Sequence, residues 1–211
     1  LAFEAAPDLP DPFDTVYPVY VLLEVAASGS VDLDAMIEHL FEHGTTAGMV
    51  LDGVLAGSDA QAERLWQIRE RMVEGQQLRG EHLRTDIALP ISSLGDFFHA
   101  ASRAMAARSP ETMVIAYGHI GDGNLHFNLL PPADLDLAAK KTLLHDLEAA
   151  LFSLVDDYHG SISAEHGIGR VKQTSFLNGL DATERELFEG IKALFDPDEL
   201  MAAGRILPRT R

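Results

Sequence analysis

Residues 115–130 read IAYGHIGDGNLHFNLL, and the alternation in this stretch decides the fold. Asp122-Gly123 is the short-range signal for a two-residue type I′ hairpin turn, which needs residues that tolerate positive φ. With those two residues at the tip, Gly121 faces Asn124, Ile120 faces Leu125 and His119 faces His126. Opposed residues project to one side of a hairpin, their Cβ atoms about 4.5–5.5 Å apart. Strand alternation adds Tyr117 and Asn128 to the histidine side. The other side carries Val114, Ala116, Ile120, Leu125, Phe127 and Leu129, an apolar set that must face a core. The expectation is a rigid hairpin presenting two imidazoles placed to grip one cation. The alternative is a solvated polar face with two incidental histidines. The glycines at 118, 121 and 123 and the register favour the ligand pair.

A second constellation lies downstream, where residues 160–172 read GSISAEHGIGRVK. A short strand over 161–164 would deliver Glu165 and His166 to a loop held open by Gly167 and Gly169. Two histidines and one carboxylate form the ligand set of an open catalytic metal site. Glu165 is therefore the natural third ligand beside His119 and His126, leaving His166 to move protons. The competing reading is an ordinary turn near Arg170 and Lys172.

Further out, residues 19–26 (VYVLLEVA) and 47–56 have strand composition. Leu33, Met36, Ile37 and Leu40 predict a helix over 31–43, and Ser58 caps one running to about Gly75. Residues 82–89 predict a strand ended by Pro90, followed by a helix from Ser92 or Ser93 to Arg108. A long amphipathic helix is expected over 135–158, with Leu143, Leu147, Leu151, Leu154 and Val155 inward. The last spans 183–195, stopped by Asp196-Pro197. Irregular alternation with at least one hairpin predicts an α+β fold, a largely antiparallel sheet with helices packed on one face. Residues 1–18 read as an irregular, truncated lead-in, and 19–211 as one domain.

Composition narrows the function. The chain has 211 residues and a formal net charge of −17, with ordinary hydrophobic content. Such acidity argues against nucleic acid and anionic lipid as partners. There is no cysteine, so any metal must be held by His, Asp, Glu or Asn. No apolar run is long enough to span a membrane. The initial leucine predicts a fragment or processed product, and no signal pattern follows it. Against this acidity, residues 64–84 carry Arg64, Arg69, Arg71, Arg79 and Arg84 against three glutamates. Guanidinium grips carboxylate bidentately, so this stretch is a candidate anion site, although a solvated helix face laced with ion pairs accounts for most of these arginines.

Together, GHIGDGNLH, SAEHGIG and the terminal DPDELMAAGRI resemble the C-terminal domain of FAD-linked oxidases over about residues 19–207. That family contains D-lactate dehydrogenases, D-2-hydroxyglutarate dehydrogenases and the glycolate oxidase flavin subunit. The resemblance implies a ferredoxin-like substrate and cap domain closing over FAD held by a separate N-terminal domain, absent from these residues. It implies a divalent metal, zinc or manganese, on His119, His126 and Glu165, with His166 as the base. It also implies substrate contacts from Arg69 in LWQIRE, Arg84 in HLRTDIALP, and Asn128. The chain departs from the family at Ala202-Ala203-Gly204-Arg205, where Asn-Pro-Gly-Lys is common near the flavin. Val73 stands where 2-hydroxyglutarate enzymes can carry a threonine.

The expected function is oxidation of a D-2-hydroxy acid to the 2-oxo acid, with the metal orienting substrate. The isolated domain is expected to be inactive. A metal-dependent hydrolase and a non-catalytic capping or interaction domain are the rival classes. The implied partners are a small anionic 2-hydroxy acid, the chain's own FAD-binding domain, an electron acceptor the sequence does not name, and a second copy in a homodimer. The implied location is the bacterial cytoplasm or an organelle matrix.

Overall fold

A computed structural model describes residues 1–209; Thr210 and Arg211, the end of the segment read as one domain, lie outside the described residues. The chain divides into two compact units, Leu1–Gly80 and Glu81–Arg211.

The first unit contains α1 (Ala2–Ala5), α2 (Leu33–Thr46) and α3 (Asp59–Leu78). Both long helices begin where the sequence supplies an N-cap. The Asp32 carboxylate accepts from Ala35 N at 3.0 Å and the Ser58 hydroxyl from Gln61 N at 3.4 Å. The helical turn α1 lies inside the stretch read as irregular and packs against α3, where Glu4 pairs with Arg79. Arg71 pairs with Glu74 at 2.6 Å, the ion-paired helix face expected of that arginine.

The two strands expected in this unit do not form. Residues 19–26 and 47–56 are without regular structure, and Val19, Val21 and Leu51 are 74%, 75% and 67% exposed. Strand composition describes a fit to a pleated, half-buried surface, and it yields a strand only where a ladder partner is present. Here the segments are tied by side chains instead: Tyr17 Oη–H donates to Asp52 at 2.8 Å and Trp66 Nε1–H to Glu24 at 2.6 Å.

The second unit is α+β, as expected. Its sheet has the antiparallel order β1–β3–β2, built from β1 (Ile87–Ala88), β2 (Met113–Tyr117) and β3 (Asn124–Leu130). Helices α4 (Leu94–Arg108) and α5 (Leu137–Asp157) supply the other side of the core. Phe97, Ala101 and Met105 of α4 and Leu147, Leu151 and Val155 of α5 are fully buried with Ile87, Phe127 and Leu129 of the sheet. Leu143 and Leu154 are partly buried against this cluster, while Leu144 and Phe152 join it fully. Two further helices follow, α6 (Gln173–Gly179) and α7 (Ala182–Phe195). The latter starts at a reciprocal capping box between Asp181 and Glu184.

The β2–β3 hairpin keeps the expected faces but not the expected turn. Tyr117 pairs with His126 and Ala116 with Phe127, so the register is displaced by two residues from the His119–His126 pairing read above. An even displacement preserves the side on which every paired residue projects. Phe127 and Leu129 are therefore buried, and Val114, Ala116 and Leu125 pack beside them. His119 and Ile120 leave the ladder, and Ile120 is 70% exposed rather than in the core.

The cause is local. A type I′ turn would require positive φ at Asp122 as well as at Gly123. Instead Ile120–Asp122 form a 3₁₀ turn and only Gly123 is left-handed, at φ 70°. Asp122 N and Asn124 N both donate to His119 O, at 3.1 and 3.2 Å. Gly123 must be glycine twice over, since a Cβ there would also lie 2.1 Å from Leu89 O.

Candidate active site

The face of β3 turned away from the core carries His126 and Asn128. The edge of β1 beside it is unusual. Leu83 pairs with Leu129 and Ile87 with Leu125, but between them the backbone ladder is interrupted. The gap is closed by side chains. Thr85 Oγ1 accepts from Phe127 N at 2.9 Å and donates to Phe127 O at 3.0 Å. Thr85 N donates to Asn128 Oδ1 at 2.9 Å. His126 completes the set through Nδ1, 3.0 Å from Thr85 O. A carbonyl oxygen only accepts, so Nδ1 of His126 carries a proton, and in the neutral ring Nε2 is the nitrogen with the lone pair.

Across from His126, in the register of those pairs, stands Asp86, 1% exposed. Its Oδ1 accepts from Asn124 Nδ2 at 3.0 Å. Its Oδ2 accepts from three consecutive backbone amides, Ala164 at 3.2 Å, Glu165 at 2.9 Å and His166 at 2.8 Å. Burial pushes the Asp86 carboxyl up, but the amides of His166 and Glu165, the nearby His166 ring and Asn124 outweigh it and hold it at about 2. Asp86 stays ionised through the neutral range.

The segment read as a short strand over 161–164 makes only isolated bridges, Ser161 with Ala88 and Ser163 with Asp86. They still deliver Glu165 and His166 to the polar face of the sheet. His119 Nδ1–H donates to Glu165 Oε1 at 3.1 Å. The His166 ring stacks on His126 with centroids 5.8 Å apart and lies two-thirds exposed. The Tyr117 ring also packs on His126, tilted, with centroids 5.1 Å apart. From below, Lys172 Nζ donates to Ile162 O at 2.7 Å, its pKa pulled down by burial against the attraction of Asp86 and Glu148.

His119, His126, Glu165 and His166 are thus brought together from a hairpin and a loop 46 residues apart. Among the described residues, one group offers three ligand atoms within 4.8 Å of one another: Asp86, His126 and Glu165. His119 reaches this group through Glu165. Open imidazole and carboxylate donors of this kind suit zinc, manganese or iron. Of the predicted substrate contacts, Asn128 is 2% exposed with its Oδ1 committed to Thr85 N. Arg84 is exposed beside the site, its Nε–H donating to His82 Nε2 at 2.9 Å. Arg69 lies on α3 in the first unit, partly exposed.

Two residues escape a reading by spacing. Thr85 and Asp86 sit inside a strand-like run, HLRTDIALP. The available signal is an acidic residue between apolar strand positions, a place where a carboxylate is rarely found unless it is partnered.

The geometry defines an α+β unit whose sheet presents an open His and carboxylate cluster. The family model for the C-terminal domain of FAD linked oxidases matches residues 1–206, and the chain belongs to that family. It is 34% identical to a D-2-hydroxyglutarate dehydrogenase of Stutzerimonas stutzeri, covering 94% of this chain and 42% of the relative. It is 36% identical to one of Xanthomonas citri, covering 92% and 41%. Identity to the mitochondrial D-2-hydroxyglutarate dehydrogenase of Danio rerio is 31%, over 92% and 35%. The chain spans about two-fifths of the length of the bacterial relatives it matches. No helix among the described residues is long and apolar enough to cross a membrane.

Proposed function

We propose that this chain is the substrate- and metal-binding part of a flavin-dependent dehydrogenase that oxidises a D-2-hydroxy acid to the 2-oxo acid. D-2-hydroxyglutarate, the substrate in the names of its relatives, is the first compound to test. The observation that carries this reading is the convergence of His119, His126, Glu165 and His166 on one face in a chain of this family.

His126 Nε2, a Glu165 oxygen and His119 would hold a divalent cation. When bound, the ion supplies Lewis acidity that lowers the pKa of the substrate hydroxyl. His166, exposed and stacked on His126, takes the hydroxyl proton. The α-hydrogen then leaves with its electron pair, the carbinol carbon becomes a carbonyl, and two electrons leave the substrate. When bound, the flavin supplies the two-electron acceptor. Arg84 would fix the substrate carboxylate, and orientation of that kind supplies much of a rate gain. Asn128 holds the strand edge beneath the substrate through Thr85.

The test uses the complete flavin-loaded protein under anaerobic conditions. D-2-hydroxyglutarate, D-lactate, glycolate and the L-enantiomers are mixed with it while flavin absorbance is followed. Bleaching by a D-2-hydroxy acid is expected. It should be lost in His166→Ala while the flavin remains bound. Absence of bleaching with every compound refutes the reading, and cleavage of an ester or amide without flavin reduction moves the chain to the hydrolases.

A further inference from the structure

We infer that Asp86 is a positioning residue, whose carboxylate sets the place of Glu165 and His166 by gathering the backbone amides of residues 164–166. The inference rests on the roles proposed above for Glu165 and His166.

The bonding marks Oδ2 as the clamp. An ionised carboxylate offers about four lone-pair directions. Oδ2 already accepts from Ala164 N, Glu165 N and His166 N, with Ser163 Oγ at 3.5 Å, and Oδ1 accepts from Asn124 Nδ2. Oδ2 is therefore spent on the chain itself, while Oδ1 keeps one acceptor direction beside its bond to Asn124. The His166 ring reaches it only at Nδ1, 3.7 Å from Oδ2, beyond hydrogen-bond range. Its hold on His166 is through the backbone.

That hold has a structural reason. Residues 161–164 make only isolated bridges, with Asp86 and Ala88, and beyond them the chain enters a loop with positive φ at Gly167 and Gly169. A segment so placed has few ladder bonds to fix it. Ala164 N is also 3.1 Å from Asp86 O, so one residue holds the turn by both main chain and side chain. Asn124, the partner of Oδ1, begins β3 two residues before His126. One buried carboxylate thus ties the loop bearing Glu165 and His166 to the strand bearing His126. Displacement of a reacting group by about 1 Å can cost about 100-fold in rate.

The experiment compares Asp86→Ala and Asp86→Asn with wild type in the complete protein by three readouts. Amide exchange is read at 164–166 and, as a control for folding, at core positions of α5. Mn²⁺ alone is titrated by calorimetry, and turnover is measured as kcat and KM separately. Asp86→Ala should speed exchange at 164–166 with α5 still protected, weaken Mn²⁺ about 10- to 100-fold, and lower kcat more than it raises KM. Asp86→Asn keeps an acceptor for the amides, and Asn124 can swing its amide to meet the new Nδ2, because Asn124 Oδ1 has no partner. It should restore most of the protection and of kcat, which a general loss of stability would not predict.

Unchanged exchange at 164–166 in Asp86→Ala overturns the inference. So does Asp86→Asn falling as far as Asp86→Ala while folded. If Asp86→Ala fails to fold, Asp86→Asn decides alone: near-wild-type protection at 164–166 supports the acceptor role, and lost protection with α5 intact overturns it. A wild type with no 2-hydroxy-acid activity removes the functional reading, while the exchange and Mn²⁺ readouts still judge the clamp.

Discussion

The replacement Thr85→Val tests the seam between β1 and β3. Valine has nearly the shape of threonine, so the packing survives and only the hydroxyl is lost. That hydroxyl serves both Phe127 N and Phe127 O on the central strand. Thr85 is 2% exposed and Phe127 is fully buried, so water cannot replace it without opening the sheet. An orphaned buried backbone group costs about 1–3 kcal/mol. Two of them place the loss at about 2–6 kcal/mol. Thr85→Ser keeps the hydroxyl and removes one methyl, for about 1 kcal/mol. Urea unfolding followed by far-UV ellipticity gives both values; the single tryptophan, Trp66, lies outside this unit and is the wrong probe. Amide exchange at Phe127 should quicken in Thr85→Val alone. A Thr85→Val protein within 0.5 kcal/mol of wild type, or a costlier Thr85→Ser, would refute the claim that a side chain completes this ladder; 0.5 kcal/mol is about the scale of an ordinary surface change.

Acid should expose the clamp separately. The folded carboxyl of Asp86 lies near 2 against an ordinary 3.8, so the group contributes about 2 kcal/mol of stability above pH 4. Because the folded value is depressed, that contribution fades as pH falls below about 4 and is lost as pH falls through about 2. The stability gap between wild type and Asp86→Asn should therefore narrow across that window; a gap independent of pH would contradict the bonding described. His126 should show the Nδ1–H tautomer in ¹⁵N–¹H correlation spectra of the metal-free protein, as its bond to Thr85 O demands. An Nε2–H signal would reverse the assignment of the ligand nitrogen.

The polar face of the hairpin was legible because alternation is local. Val114, Ala116, Leu125, Phe127 and Leu129 could face only a core, whichever register the strands took. The turn was not legible. Asp122-Gly123 permits a type I′ turn, but a 3₁₀ turn needs positive φ at Gly123 alone, and that difference moved His119 off the ladder. The strands expected at 19–26 and 47–56 failed for a related reason: composition prepares a segment for a sheet, and pairing makes it one.

By itself, the sequence determined the sidedness of the hairpin, the Ser58 cap, the family, and the residue types able to hold a cation without cysteine. These depend on nearest neighbours, on periodicity or on composition. Only the tertiary structure decided that Glu165 meets His119, that His166 stacks on His126, and that Asp86 and Thr85 hold the two chain segments in place. Those contacts join residues about 40 to 80 apart in the chain. Hydrogen-bond acceptors inside an apolar strand announce a need for partners, but which amides satisfy them depends on where the folded chain brings its loops.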